Sequence, residues 1–266
     1  MPQIDTSAGV SFYYEEAGSG TPVLLIHGHP FDCSMWAPQL EAGFPGLRLI
    51  APDLRNFWRT TSPNPPADYA DYAHDMVRFA DALGLEKFVV AGLSMGGQIA
   101  LEVAASYPQR VAGLVVCDSF AQLDTPEKKA GRYALADRLD AGGLNAYALE
   151  VLPKMICASS IARMPEMADA LVQMMQRAPA HGAAAALRLR AERRDYVPLL
   201  RWLAMPTLIV VGDQDAFTPV ADAELMHRSI RNSKLVVIKD SGHITNLEQP
   251  EVFNKALGDF LQTVVH

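Results

Sequence analysis

The feature that most constrains the fold of this chain is a series of short, uninterrupted apolar runs separated by segments of helical periodicity. The runs are VLLIHG (23–28), LRLIAPD (47–53), KFVVAG (87–92), VAGLVVCD (111–118), PTLIVVG (206–212) and KLVVIKD (234–240). Runs of this length without polar alternation are typical of parallel strands covered on both faces. We therefore predict an α/β fold with a mostly parallel central sheet wrapped by helices. Upstream, SFYYEEAG reads as a strand, and Gly18, Ser19 and Gly20 supply turn residues that predict a hairpin.

The strand signal disappears between about residues 120 and 195, where apolar residues follow helical stripes. The stripes are broken by Pro153, Pro165 and Pro179. We interpret 120–195 as a helical cap inserted into an α/β core formed by 1–119 and 196–266. Met167, Met174 and Met175 lie on these stripes. We expect them to fill the core under the cap, although thioethers also suit an adaptable ligand pocket.

Charge and cysteine usage restrict the partners. The net charge is -7, with no basic stripe that could neutralise phosphates and no polybasic membrane anchor, so neither nucleic acid nor a membrane is an expected partner. Cys33, Cys117 and Cys157 lack metal-ligand spacing and suit reduced thiols. The first ten residues, MPQIDTSAGV, have neither a basic start nor an apolar run. We expect a cytoplasmic protein and make no prediction of its oligomeric state.

The string AGLSMGGQIA places Ser94 in a G-x-S-x-G pattern between a strand and a helix. The bare pattern is weak evidence, but this setting sharpens it. A turn this tight needs small residues at Gly92 and Gly96, and it exposes the serine hydroxyl at the end of the sheet. The following helix N-terminus favours developing negative charge. Ser94 is therefore our candidate nucleophile.

A serine nucleophile needs a base within hydrogen-bond reach and an acid that orients the base. His243 follows a strand in the loop DSGH, whereas His74, His181 and His227 lie in helical stretches. The loop GDQDAFTP offers Asp215 as the acid, with Asp213 as a carboxylate that shapes the loop. Asp118, at the end of another strand, is the alternative acid.

The tetrahedral intermediate of acyl transfer needs two hydrogen-bond donors at its oxygen. We assign the backbone N–H of Met95, directly after the nucleophile, and the backbone N–H of His29, in the loop after VLLIHG. Because the assigned donor is the backbone N–H, the His29 imidazole is not needed for this role. A contact between that ring and the substrate is a secondary hypothesis.

Together these residues resemble the α/β-hydrolase family over nearly the whole chain outside the cap. The matching motifs are HGHP, GLSMG, GDQDAFTP and SGH, in the family's order. The chain looks most similar to small bacterial esterases, enol-lactonases and cofactor-free perhydrolases. Members with an aspartate nucleophile, such as dehalogenases and epoxide hydrolases, are disfavoured because this chain has Ser94.

One stretch departs from the family's D-x-R-G-x-G-x-S pattern. This chain reads Asp53, Leu54, Arg55, Asn56, Phe57, Trp58, Arg59 and Thr60, so both glycines are replaced. Asparagine tolerates a left-handed backbone but tryptophan does not do so readily, which suggests that the loop is rebuilt or that its glycine geometry is dispensable. We predict that Trp58 lines the substrate pocket; the alternative is a surface tryptophan packed on the scaffold.

A second local feature is LRLRAERRD (187–195), with four arginines near the end of the cap. We expect a solvated helical face whose arginines pair with Glu192 and Asp195. Recognition of a carboxylate-bearing substrate is the second interpretation.

The sequence predicts a serine hydrolase that cleaves small-molecule carboxylic esters or lactones through an acyl-enzyme. No metal or organic cofactor is expected, since there is no H-E-x-x-H, Walker loop or G-x-G-x-x-G. Perhydrolysis and carbon–carbon bond hydrolysis on the same triad are alternative reactions. A non-catalytic small-molecule receptor on this scaffold is the alternative from a different class.

Overall fold

A computed structural model describes residues 2–264, which form eight strands in a single sheet. The strands are β1 (Gln3–Asp5), β2 (Ser11–Gly18), β3 (Thr21–Ile26), β4 (Leu47–Pro52), β5 (Phe88–Leu93), β6 (Val111–Cys117), β7 (Thr207–Gly212) and β8 (Ser233–Ile238). Their order across the sheet is β1-β2-β4-β3-β5-β6-β7-β8. The pairs from β4 to β8 are parallel, and β1 and β2 add an antiparallel edge. This confirms the predicted α/β fold with a mostly parallel sheet.

The central strands are apolar throughout because both faces of the sheet are covered. Along β3, Leu24 and Ile26 contact one hydrophobic core, whereas Val23 and Leu25 contact the other. This alternation follows from side chains pointing to opposite faces at successive positions of a strand. All four residues are fully buried.

Helices pack on both faces of the sheet, and they also make up most of the chain between β6 and β7. They are α1 (Ala37–Ala42), α2 (Ala70–Ala82), α3 (Met95–Ser106), α4 (Pro126–Arg138), α5 (Leu144–Met155), α6 (Ala158–Arg163), α7 (Pro165–Arg177), α8 (Ala180–Ala191), α9 (Val197–Leu200), α10 (Val220–Ser229), α11 (Thr245–Glu248) and α12 (Pro250–Val264). Within residues 2–264, no helix is both long and apolar enough to cross a membrane.

Helices α4 to α8 occupy most of the segment predicted as a cap. Thr125 caps the N-terminus of α4 by accepting a hydrogen bond from the Lys128 N–H, and Pro126 occupies the first helical position. The division into a core and a cap with boundaries at residues 120 and 195 stays a prediction, and positions 1, 265 and 266 of that division lie outside the described residues. Met174 and Met175 are buried in a hydrophobic core and Met167 packs against it, as expected for core-filling methionines.

The hairpin predicted at Gly18–Gly20 is wrong. Strand β2 pairs with β4 instead of β3, so the turn carries the chain past β4 to the next position in the sheet. Gly18 and Gly20 are needed there because both have positive φ angles, and a Cβ on either would lie 2.3 Å or less from a backbone oxygen at the start of β4 or just before it. The hairpin of this region connects β1 to β2.

The loop after β4 keeps left-handed backbone at both positions where the family has glycine. Asn56 has a φ of 62° and Trp58 a φ of 35°. The loop is therefore not rebuilt at these two positions, and both side chains are accommodated at positive φ. The left-handed region costs an L-residue about 1 to 2 kcal/mol, and less for asparagine than for other side chains.

We predict that Asn56→Ala lowers the free energy of unfolding by about 1 kcal/mol, because alanine tolerates the left-handed region less well than asparagine. Asn56→Gly is the control and should stay within about 0.5 kcal/mol of the wild type. Urea unfolding followed by circular dichroism measures both. Equal stability of the alanine and wild-type proteins would show that this conformation carries no strain.

Candidate active site

The three residues predicted as a triad lie at the carboxyl ends of three strands of one sheet. Ser94 follows β5, Asp215 lies in the loop after β7, and His243 lies in the loop after β8. Loops that follow parallel strands gather at the same edge of a sheet, which is where ligand sites form in open α/β folds. Residues far apart in sequence are thereby brought within hydrogen-bonding distance.

Ser94 lies in a strained turn between β5 and α3. Its φ of 56° and ψ of -113° are unusual for a residue other than glycine, and its N–H donates to the Cys117 carbonyl at 2.8 Å. A Cβ on Gly92 would lie 2.1 Å from the Gly96 oxygen, and a Cβ on Gly96 would lie 2.2 Å from the Ile26 oxygen. Both glycines of the motif are thus required by close backbone approach.

Ser94, His243 and Asp215 form one continuous chain of hydrogen bonds. Ser94 Oγ lies 2.8 Å from His243 Nε2, and His243 Nδ1 lies 2.7 Å from Asp215 Oδ2. A carboxylate can only accept, so Nδ1 carries the imidazole proton and Nε2 accepts from the serine hydroxyl. All three residues are buried.

The Asp215 carboxylate is held by the loop that follows it. Its Oδ1 accepts hydrogen bonds from the N–H groups of Phe217 and Thr218 at 2.7 and 3.0 Å, and Oδ2 accepts from the Thr218 hydroxyl. Burial alone raises the pKa of Asp215, but the His243 imidazole and these hydrogen bonds outweigh burial and hold the pKa below its ordinary value. The carboxylate is therefore ionised and oriented toward His243.

The other two candidate carboxylates do not contact His243. Asp118 accepts from the Gly212 N–H at 3.0 Å and from the Thr245 hydroxyl, and burial followed by the nearby Asp215 charge raises its pKa well above the ordinary value. Asp213 accepts a long hydrogen bond of 3.4 Å from the Ser241 N–H, in line with its expected part in loop shape. The geometry therefore favours Asp215 over Asp118 as the orienting acid.

Of the two residues predicted to supply oxyanion donors, Met95 follows Ser94 directly in the chain, and His29 lines the same cavity as Ser94. Met95 is the first residue of α3, where backbone N–H groups lack intrahelical acceptors. His29 lies in the loop that follows β3, and its side chain lines the cavity that contains Ser94. Neither N–H donates to a protein acceptor within residues 2–264. Both groups remain available to a developing negative charge.

The imidazole of His29 makes a structural contact that is separate from the oxyanion role predicted for its backbone N–H. Its Nε2 lies 2.9 Å from the Ala183 carbonyl on α8, so the ring links the loop after β3 to the helices between β6 and β7. A carbonyl can only accept, so Nε2 carries the proton. Burial, and after it the nearby Arg190 charge, lowers the pKa of His29 to about 3.

His27 is a second buried, neutral histidine. Its Nε2 accepts from the Leu54 N–H at 2.9 Å, and its Nδ1 lies 2.9 Å from the Gly28 oxygen. Burial lowers its pKa to about 4. Protonation of Nε2 would break the hydrogen bond to Leu54, so both burial and hydrogen bonding require the neutral ring.

Ser94 and His243 open onto a cavity of about 230 Å³. Its lining is mostly apolar, with several polar and basic side chains: His29, Ser94, Phe120, Lys128, Gly131, Arg132, Leu135, Tyr147, Met155, Leu187, Arg190, Phe217, Thr218 and His243. Most of these residues come from the segment between β6 and β7, which contributes eight positions from Lys128 to Arg190 together with Phe120. Apart from Leu187 and Arg190, which belong to the arginine-rich stretch 187–195, sequence patterns did not identify these residues, because no local motif marks a residue that reaches the site from an inserted helix.

Trp58 does not line this cavity. Its indole lies between two guanidinium groups, with the Arg59 Cζ 3.6 Å and the Arg177 Cζ 4.2 Å from the ring centroid, and its edge contacts Tyr13. Cation–π contacts of this kind stabilise a packed surface side chain. A pocket role for Trp58 stays a prediction that the geometry does not support.

The expected solvated face in 187–195 is wrong for two of its four arginines. Arg190 and Arg193 are buried, and Arg194 pairs with Glu102 on α3 instead of the neighbouring acids. Helical spacing alone could not show that α8 packs against α4 and that Arg190 reaches Gln98 on α3. Glu192 is paired instead with Lys129.

Within the described part of the chain, one group of side chains has the spacing of metal ligands, namely Asp32, Cys33 and Asp53. Asp32 forms an ion pair with Arg177 at 2.7 Å, and Asp53 accepts from the Cys33 N–H at 2.8 Å. These donors occupy the carboxylates, so we assign the group to the scaffold. All three cysteines are buried free thiols.

Comparison with known proteins gives a consistent set of matches. Residues 21–250 match a protein family described as the alpha/beta hydrolase fold. A curated relative, 3-oxoadipate enol-lactonase 1 of Acinetobacter baylyi, is 28% identical over 233 residues, which cover 88% of this chain and 85% of that protein.

Two solved structures are also similar over nearly the full length. A thermophilic esterase from Thermogutta terrifontis, solved with malate bound, is 40% identical with a TM-score of 0.94, covering 100% of this chain and 99% of that one. The enol-lactonase from Burkholderia xenovorans LB400 is 25% identical with a TM-score of 0.90, covering 98% and 100%.

We predict that His27 and His29 lower the free energy of unfolding as the pH drops below about 6.5, whereas the buried carboxyl groups of Asp53 and Asp118, whose pKa burial raises, act in the opposite direction. In the unfolded chain His27 and His29 gain protons near pH 6.5, whereas in the folded protein they resist protonation down to about pH 4 and 3. The unfolded state then binds more protons than the folded state. This lowers the free energy of unfolding by at most about 2 kcal/mol per histidine at pH 5. Urea unfolding at pH 5 and pH 8 measures this difference.

The variant His27→Gln should reduce the difference between the two pH values, because the glutamine amide oxygen can accept from Leu54 without titrating. His181→Gln, at an exposed position of α8, is the matched control and should leave the difference unchanged. An unaltered pH dependence in His27→Gln would contradict the assignment.

Proposed function

This chain belongs to the α/β-hydrolase family and is a hydrolase, and from that premise we propose that it cleaves carboxylic esters, including lactones, through an acyl-enzyme on Ser94. The resemblance drawn from the sequence motifs is confirmed by the family match. The observation that carries the proposal is the unbroken relay from Ser94 Oγ to His243 to Asp215, with distances of 2.8 and 2.7 Å. The names of the relatives, which refer to esters and enol-lactones, add support.

In the first half of the reaction, Ser94 Oγ attacks the carbonyl carbon and its proton passes to His243 Nε2. The ionised Asp215 stabilises the imidazolium through the Nδ1 hydrogen bond. The N–H groups of His29 and Met95 donate to the carbonyl oxygen as it gains negative charge. When the tetrahedral intermediate collapses, Nε2 returns the proton to the leaving alkoxide, and the acyl group stays on Ser94.

In the second half, water replaces the alcohol. His243 Nε2 takes a proton from the water as its oxygen attacks the acyl carbon, and the same two N–H groups stabilise the second tetrahedral intermediate. Collapse releases the acid, and Nε2 returns the proton to Ser94 Oγ. For a lactone the alcohol and the acid remain in one molecule, so a hydroxy acid is released.

The helices from α4 to α8 form the second part of the proposal, as a cap that shapes the substrate site. His243 donates its backbone N–H to the Met155 carbonyl at 2.8 Å, and His29 is bonded to Ala183. Both contacts connect the loops of the catalytic edge to this helical segment. The cap would thus select substrates and exclude water from the acyl-enzyme.

We predict that Asp215→Asn lowers kcat for p-nitrophenyl butyrate by about 10³- to 10⁴-fold, because an amide can donate to Nδ1 and then stabilises the wrong imidazole tautomer. Ser94→Ala should abolish burst-phase acylation and labelling by a fluorophosphonate. Asp213→Asn, two positions away on the same loop and exposed, is the control and should stay within about twofold of the wild type. Equal losses in the two aspartate variants would contradict the assigned roles.

We also predict a preference for short acyl chains, because the cavity of about 230 Å³ is smaller than a typical drug-sized ligand pocket. The ratio kcat/KM should fall steadily from p-nitrophenyl butyrate to p-nitrophenyl decanoate. A maximum at decanoate would show that the cavity opens beyond the volume seen here.

A further inference from the structure

The cavity that contains Ser94 has a strongly basic wall. Lys128, Arg132 and Arg190 line it, and the lining residues within the described chain include no carboxylate. A neutral ester by itself gives no reason for this excess of positive charge. The wall therefore points to a property of the substrate that the relay of Ser94, His243 and Asp215 does not explain.

Arg190 is the informative residue because it is buried without an acidic partner. Only 7% of it is exposed, and the one hydrogen bond of its guanidinium within residues 2–264 runs from Nε to the neutral Gln98 Oε1 at 2.6 Å. No Asp or Glu of the described chain lies within ion-pair distance of it. A buried charge without a counter-charge is costly, so proteins retain such a group mainly where it has a function.

The neighbouring charges increase this cost. Arg132 and Arg193 both pair with Asp124, at 2.6 and 2.7 Å, so this carboxylate already has two guanidinium partners and forms no ion pair with Arg190. Burial, and after it the charge of Arg132, lowers the pKa of Arg190 to about 9. Arg190 is still protonated at neutral pH, and the electrostatic potential around it favours an anion.

The guanidinium is also held in a fixed position relative to the nucleophile. Gln98 lies on α3, four residues after Ser94, and its N–H donates to the Ser94 carbonyl at 3.2 Å. Its Nε2 donates to the Phe120 carbonyl at 3.3 Å, which turns Oε1 toward Arg190. The Nε hydrogen bond leaves the two terminal nitrogens of the guanidinium for a ligand.

We propose that the substrate carries a carboxylate in addition to its scissile ester or lactone, and that Arg190 binds this carboxylate inside the cavity. The proposal rests on the proposed function, since it names the substrate class of the same site. Two terminal N–H donors match the two oxygens of a carboxylate. Lys128, near the cavity and exposed, adds longer-range attraction for the anion.

The substrate test compares monoethyl succinate, glutarate and adipate with the uncharged ethyl butyrate, valerate and hexanoate, with acid release followed at constant pH. The wild type should cleave the best half-ester with a kcat/KM at least about 10-fold above its uncharged counterpart, which corresponds to about 1.4 kcal/mol. Arg190→Gln should lose this preference mainly through a higher KM, because the carboxylate contact is the same in the ground and transition states. Its activity on ethyl valerate shows that the variant is folded.

Two further variants complete the comparison. Arg190→Lys keeps the charge and should retain part of the preference, whereas a residue needed only for packing would show no such rescue. Arg188→Gln removes a basic residue from the same helix whose ion pairs are with Asp137 and Asp140, and it should keep the full preference. Loss of the preference in Arg188→Gln would attribute the effect to general charge and overturn the proposal.

A binding measurement separates this proposal from the proposed function. Calorimetry with Ser94→Ala should detect glutarate binding, and the double variant Ser94→Ala with Arg190→Gln should bind at least about 10-fold more weakly. Absence of glutarate binding, or equal binding by both proteins, overturns the carboxylate site.

If the wild type cleaves uncharged esters without any preference for half-esters, the carboxylate site fails while ester hydrolysis stands. If glutarate binds as expected but no ester is cleaved, the proposed function fails instead.

Discussion

The close approach of two backbone segments at the end of β5 is the constraint on which the rest of the site depends. Gly92 and Gly96 leave no space for a Cβ, because the turn packs against itself and against the end of β3. The turn holds Ser94 in a left-handed conformation at the start of α3, with its hydroxyl toward His243. The strain is local, and the surrounding parallel sheet, buried on both faces, stabilises it.

The ionisable side chains around the site differ in charge at neutral pH. His27 and His29 are neutral because they are buried, and their hydrogen bonds position the loop after β3. Asp215 stays ionised because its loop donates hydrogen bonds to it. Arg190 is charged. Its guanidinium is bonded to a neutral glutamine, and no carboxylate of the described residues lines the cavity. A neutral loop, an anionic relay and a cationic wall thus surround one small cavity.

The segment between β6 and β7 connects these parts through contacts that join distant positions. Met155 accepts from the His243 backbone, Ala183 accepts from the His29 ring, and Arg190 is bound to Gln98 on the helix of the nucleophile. Changes in these helices can therefore alter both the shape of the cavity and the position of the loops beside it.

The sequence by itself determined the α/β fold, the strand positions and the residues of the Ser94, Asp215 and His243 relay, because buried parallel strands and tight glycine turns leave local signals. The tertiary structure alone decided that β2 pairs with β4, that Trp58 lies between two guanidinium groups outside the cavity, and that Arg190 is buried beside Ser94. Strand order and the burial of a helix face depend on which distant segment packs there. A pattern within one segment carries no information about its partner, so the positions of the motif residues could be predicted and the surroundings of the cavity could not.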